Sequence, residues 1–271
     1  MKKAAKLPDI RVCIRGGGDI ASGVAWRLYN CGFKILITEI PQPMAVRRKV
    51  AFCEAIHDGH AVVEGVEALR IGQAADVHPV WAERKIAVLV DPLCEARHVI
   101  KPQVVVDAIL AKKNLGTHID YGPLVIALGP GFEAGKDAHF VVETNRGHHL
   151  GRVLTTGSAE TNTGVPGPIM GFTTERVLRA PAEGLWKNER DIGDQVSKGD
   201  MVGAVAGVPV RAFLDGVLRG LIRPGVFVTK GLKIGDIDPR GIREFCYTIS
   251  EKALAIAGGV LEGIMRFYVN R

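Results

Sequence analysis

Residues 10–39 read IRVCIRGGGDIASGVAWRLYNCGFKILITE, and this stretch decides how the rest of the chain is interpreted. Apolar Ile10, Val12 and Ile14 lead into Gly16-Gly17-Gly18-Asp19-Ile20-Ala21, after which Val24, Ala25, Leu28 and Tyr29 take a helical spacing. The pattern predicts a strand, a glycine turn and a helix, with Gly32 ending the helix in a left-handed conformation. The run Ile35-Leu36-Ile37-Thr38 then predicts a strand buried on both faces, as in a parallel sheet, with Glu39 at its carboxyl end.

The chemistry of such a turn follows from its geometry. Gly16, Gly18 and Ala21 fit G-x-G-x-x-A, in which the first glycine permits the tight turn, the second lets a ligand approach the backbone and the small third residue lets helix and strand close up. Amides around Gly17, Gly18, Asp19 and Ile20 would face a phosphate at the helix N-terminus. Glu39 lies about 20 residues on, where an acid accepts bonds from ribose hydroxyls. The competing reading is a turn that serves the fold alone.

Composition sets the outer bounds. The chain has 271 residues, of which 47% are hydrophobic and 24% charged, with a formal net charge of +6, as in an ordinary globular protein. The sequence contains neither a run of 18 apolar residues nor the apolar core of a secretory signal, so a cytoplasmic, non-membrane protein is expected. Nucleic acid is not expected as a partner, because aromatic residues make up 6% of the chain and form no stacking platform among basic residues. Five dispersed cysteines lack a C-x-x-C pair, which argues against a disulfide framework or structural zinc. Cys13 and Cys31 read as small core residues, while Cys94, just after a predicted strand, is a candidate thiol.

Along the chain, residues 44–56 predict a helix carrying Arg47-Arg48-Lys49, a solvated face or a phosphate contact. Strands are expected at 60–65, 86–90, 104–106 and 124–128, and a basic helical segment at 108–113. Hydrophobic runs that each end in Gly, Pro or Asp imply an open parallel sheet, whose ligands bind beyond the carboxyl ends of the strands. Glu39, Asp107, Gly129 and Gly131 would gather there with the glycine turn. The polar loop around Thr144-Asn145-Arg146 adds Asn145 and Arg146 as ligand contacts. His148 and His149, read as strand neighbours, point to opposite faces, which argues against one shared metal.

Near residue 181 the composition shifts to short β runs broken by glycine. Residues 192–200 and 223–231 repeat a pattern of two short strands around a Lys-Gly turn, which predicts a small antiparallel sandwich. The segments IGDQVSKGD and DGVLRGLI resemble the biotinyl/lipoyl-carrier type of barrel-sandwich domain. Gly207-Val208-Pro209-Val210-Arg211 stands where a carrier places its modified lysine, so covalent biotin or lipoate is not expected. The reading is therefore α/β: a Rossmann-like, mostly parallel sheet over residues 1–180, a barrel-sandwich-like module over 181–240, and a closing helical segment over 241–271 with a kink at Gly258-Gly259.

Five segments spanning nearly the whole chain, IRGGGDIASGVAWRLYNCGFKILITEI, VVVDAILAKKN, LVIALGPGFEAG, VETNRGHHLGRV and GDIDPR, resemble the YqeB family of the selenium-dependent molybdenum hydroxylase system. The first three also resemble XdhC-type accessory proteins. That resemblance implies an accessory or maturation role for a molybdenum hydroxylase, with that enzyme or its maturation proteins as partners and molybdenum cofactor as ligand. Molybdopterin carries an anionic phosphate that suits a helix N-terminus.

Two other readings stay open on the residues alone: an NAD-dependent oxidoreductase, from the fingerprint and Glu39, and a non-catalytic protein that captures a partner. The oligomeric state is open as well.

Overall fold

A computed structural model describes residues 9–269. The first half contains β1 (Arg11–Arg15), α1 (Asp19–Asn30), β2 (Lys34–Glu39), α2 (Ala55–Asp58), β3 (His60–Val63), β4 (Val66–Ile71), α3 (Val77–Ala82) and β5 (Ile86–Val90). It continues with α4 (Arg97–Ile100), β6 (Val104–Asp107), β7 (Leu124–Leu128), β8 (Glu133–Ala134), β9 (Phe140–Val142), β10 (Val153–Leu154) and β11 (Gly157–Ser158). Nine of these strands form one sheet in the order β10-β9-β7-β6-β1-β2-β5-β4-β3, and β8 pairs with β11 apart from it. The inner strands run parallel, while β3/β4 and β9/β10 add antiparallel hairpins at the two edges.

Strand alternation sorts the buried residues into two cores. Val12, Ile14, Ile35 and Ile37 face the helical side, and Cys13, Leu36, Ala87 and Val105 face the other. Helix α1 starts at Gly18, whose backbone is extended (φ −64°, ψ −177°), and carries Asp19 in its first turn, where an acid suits the helix dipole. It stops in a Schellman arrangement: Gly32 has φ +90°, its amide donates to Tyr29 O, and the Phe33 amide donates to Leu28 O. Val24, Ala25 and Leu28 are fully buried, and complete burial of a Val or Leu side chain contributes about 1.5–3 kcal/mol.

The second half contains β12 (Val177–Arg179), β13 (Gly184–Asn188), β14 (Gln195–Val196), β15 (Met201–Val205), β16 (Val208–Arg211), β17 (Gly216–Leu221), β18 (Phe227–Val228) and β19 (Lys233–Asp238), followed by α5 (Glu251–Val269). Two four-stranded antiparallel sheets result, β12-β19-β17-β14 and β16-β15-β13-β18, around a core that includes Trp186, Leu178 and Ile237. Helix α5 packs on α1 and on the helical side of the large sheet through Ala253, Ile256, Val260 and Ile264.

The expected fold class is corrected by this topology. The large sheet is mixed rather than a Rossmann-like parallel sheet, and its later crossovers lack full helices. Only the four-residue α4 stands between β5 and β6, and only a short 3-10 turn between β6 and β7. The later strands do form two antiparallel sheets, but not a separate biotinyl/lipoyl-like module over 181–240, since one of those sheets is completed by β12 from before residue 181. Buried runs report which segments are strands, but they are silent about the direction of edge strands and about what fills each connection.

Several local expectations are corrected too. Residues 44–56 hold two 3-10 turns rather than one helix, and 108–113 form a loop in which Leu110 and Lys112 take positive φ. His148 and His149 sit in a turn, Cys31 is exposed, and α5 runs unbroken through Gly258-Gly259. No helix among the described residues is long and apolar enough to cross a membrane.

A Cβ on Gly23 would stand 2.7 Å from the Ala253 Cβ, so the two helices meet where neither has bulk. Gly23→Val should therefore lower unfolding free energy by about 1–3 kcal/mol in urea denaturation, the range for overpacking a tight core. Unchanged stability would show that the two helices are not packed in this way.

Candidate functional site

The three glycines of the turn have different surroundings. Gly16 (φ +98°) donates its amide to Thr38 O at 2.8 Å, and a Cβ there would lie 3.0 Å from Ala108 O. Gly17 is closed in as well: its amide donates to Glu39 Oε1 at 2.7 Å, and a Cβ would press on Ile37 and Cys53. Gly18 faces open space, with nothing within 4 Å of an added Cβ. The first intrahelical bond of α1 is donated by Ser22 to Gly18 O, so the amides of Gly18, Asp19, Ile20 and Ala21 lie ahead of it, as the orphan donors of a helix start do.

A cleft of about 840 Å3 opens in front of them, between the carboxyl ends of the parallel strands, the start of α5 and the antiparallel sheets. Gly16, Gly18, Asp19, Ile20, Glu39 and Arg146 line it. The other sequence candidates do not. Gly17 is occupied by Glu39, Gly129 packs on Thr144 and Gly131 on Lys113, and Asn145 donates to Glu160 Oε2 at 2.6 Å. Asp107 is buried behind the wall, where Oδ2 accepts from Thr117 Oγ1 at 2.6 Å and lies 3.5 Å from Arg15 Nη1. Burial pushes its carboxyl above the ordinary value, while Thr117, the Ile109 amide and Arg15 pull it back. Asp107 thus anchors the 108–118 loop instead of facing a ligand. Glu39 has both oxygens engaged, by the Gly17 amide and by the Ile40 amide at 2.8 Å. The candidate thiol Cys94 turns away from the cleft, with its Sγ 3.3 Å from Cys13 Sγ in the opposite core.

Arg47, read from the sequence as either solvated or a phosphate contact, lines the cleft, and it is joined there by Arg176, Arg219, Lys233 and Lys252 from elsewhere in the chain. Arg47 is 8% exposed, donates through Nη2 to Phe245 O and Thr248 O, and stands 3.9 Å from Asp19 Oδ2. Arg176 is equally buried, donates to Gly167 O, and lies 3.6 Å from Asp236 Oδ2. The Nε atoms of Arg47 and Arg176 are buried without a hydrogen-bond partner. Arg219, inside the buried strand β17, is 3.7 Å from Asp238 Oδ2. Burial, reinforced by the charge of Arg219, depresses the pKa of Arg47. Arg176 is depressed by burial and by Arg219 against the pull of Asp236. Burial beside Arg146 lowers Lys252 in the same way.

Helix α5 adds a second positive end. Ser250, at its start, accepts the Ala253 amide on Oγ at 3.2 Å, and both Ser250 and Lys252 face the cleft. Apolar side chains line it as well, among them Ile109, Leu110, Leu93 and Leu115, the last two 64% and 43% exposed. A cavity that combines massed donors with apolar side chains fits an organic anion. Arg219 left a signal in the sequence, as a charge within an otherwise apolar run. The pairing of Arg176 with Asp236 left none, since it depends on β12 lying beside β19. Among the described residues, no group of three or more His, Cys, Asp or Glu is placed to hold a metal ion.

Because its folded pKa lies below the ordinary 10.5, Lys252 sheds its proton earlier in the folded than in the unfolded chain. Its contribution to stability should therefore rise as pH rises through the interval just below 10.5. Comparing thermal melts of the wild type and Lys252→Gln across that interval checks the sign. Parallel pH profiles for the two proteins would contradict the assignment.

No protein-family model matches the chain. Among solved structures, an aspartoacylase family protein from Mesorhizobium loti is 12% identical and covers 84% of each chain at a TM-score of 0.27. A succinylglutamate desuccinylase from Silicibacter sp. TM1040 is 14% identical over the same shares at 0.26. Likenesses this low carry no chemistry across. The uncharacterized protein YqeB of Escherichia coli (strain K12) is 52% identical over 254 residues, which are 94% of this chain and 47% of that protein. The chain therefore spans about half the length of the curated relative it matches, and over nearly all of its own length it is a homologue of YqeB.

Proposed function

We propose that this protein binds a phosphate-bearing small molecule, molybdenum cofactor or a nucleotide, in the cleft before α1, and acts as an accessory or maturation protein for a molybdenum hydroxylase. The observation that carries the binding half is the meeting of the open amides at Gly18–Ala21 with the buried Arg47 and Arg176, both lowered by burial and by the charge of Arg219, in one cavity. Buried charge of one sign is costly unless something of the other sign compensates it. The accessory role, the link to the selenium-dependent system and the relation to XdhC-type proteins rest on the sequence resemblance.

The residues present fit a pterin phosphate. The α1 amides and Arg47 would hold the phosphate, and Leu93, Ile109 and Leu110 would cover the ring. Molybdenum chemistry would belong to the bound group, while the chain binds and orients it.

Gly18→Val tests the site, because the added methyls enter open space over the amide row rather than the core. In equilibrium dialysis with molybdopterin, the variant should bind at least tenfold more weakly than wild type while melting at the same temperature. Equal affinity for the two proteins would remove the site.

A further inference from the structure

The cleft carries more positive charge than one phosphate group would answer. Arg47 has Asp19, and Arg146 has Glu251. Asp236, however, is shared by Arg176 and Lys233, and Asp238 by Arg219 and Arg240. Lys252 has no carboxylate within 4 Å among the described residues, which leaves three positive charges without a carboxylate of their own. The remaining lining carboxylate, Glu39, accepts from the Gly17 and Ile40 amides but keeps its charge, which offsets one of the three and leaves two. Two helix N-termini, α1 and α5, converge on the same space, each adding roughly half a positive charge. A phosphate monoester supplies about −1.5 to −2 at neutral pH.

The positive groups also fall into two sets. Arg47 stands beside the start of α1, whereas Lys252 and Arg146 stand at the start of α5, with burial and Arg146 lowering Lys252 against the weaker pull of Asp19, Glu143 and Glu251. Arg176 and Arg219 lie between the antiparallel sheets and the cleft, and the Nε of Arg176, like that of Arg47, has no partner. The arginine-carboxylate distances of 3.6–3.9 Å at Arg47, Arg176 and Arg219 are too long for hydrogen bonds, so these guanidinium groups keep donors for something else.

We infer that the cleft is built for a diphosphate, with one phosphate on the α1 amides and Arg47 and the second at the start of α5 beside Lys252 and Arg146. The ligand class is a nucleoside-diphosphate-type molecule whose ring lies over Leu93, Ile109 and Leu110. This rests on the reading of the cleft as a phosphate site and adds the number of phosphates and their places. A ligand with one phosphate fills the α1 set only and leaves Lys252 unanswered.

Calorimetric titration of the full chain with inorganic phosphate, inorganic pyrophosphate, AMP and ADP at pH 8 and constant ionic strength tests it. Pyrophosphate should bind at least tenfold tighter than phosphate, and ADP at least tenfold tighter than AMP. Lys252→Gln should cut both steps to under threefold while phosphate and AMP affinities stay within about threefold of wild type. If phosphate binds but pyrophosphate binds no tighter, or if the step survives in Lys252→Gln, the two-phosphate assignment falls and the phosphate site stands. If none of the four binds, both fall together.

Discussion

Gly23 leaves room for Ala253, and the resulting close approach of α1 and α5 fixes where both helices begin. A longer side chain at either position would push the helix starts apart. Because the α1 start is tied to β1 by the glycine turn, and the α5 start follows the last antiparallel sheet, this contact joins the two halves of the chain at the cleft. The amide row of α1, the Ser250 start of α5 and the guanidinium groups of β17 and its neighbours then share one space.

The cost of that arrangement is visible in the electrostatics. Arg47, Arg176 and Arg219 are nearly buried, and the charge of Arg219 acts against both of the others. Backbone carbonyls such as Phe245 O, which receives both Arg47 and Arg219, meet part of their hydrogen-bonding demand without adding negative charge. The glycine turn makes the complementary choice: Glu39 satisfies the Gly17 amide and leaves those from Gly18 onward to the cleft. Stability is thereby given up for a preformed positive site, which an anion would restore by binding the folded state alone.

Local order was legible in the sequence where burial alone determines it. The runs at β1, β2, β5, β6 and β7, the start of α1 at Gly18 and its end at Gly32 all follow from apolar spacing and glycine. So do the Lys-Gly turns at Gly199 and Gly231, both with positive φ. The fold class was not legible, because the direction of the edge hairpins and the missing crossover helices are set by pairing between distant segments. Half of the site was hidden for the same reason. Gly16, Gly18 and Glu39 lie within one local motif, whereas Arg176, Arg219 and Asp236 meet only after β12, β17 and β19 pair. Asp107 and Gly129 lie outside the cleft lining, where a polar or glycine residue at a strand end serves the scaffold. The Asp107 contact with Thr117 and the Gly129 contact with Thr144 are of that kind.

The most direct measurement is an amide-resolved NMR titration of the labelled protein with inorganic phosphate. Saturable shifts of the Gly18, Asp19 and Ile20 amides are expected, with the Gly17 amide nearly still because Glu39 already holds it. Shifts confined to exposed lysines, or none at residues 18–20, would contradict an anion site at the start of α1.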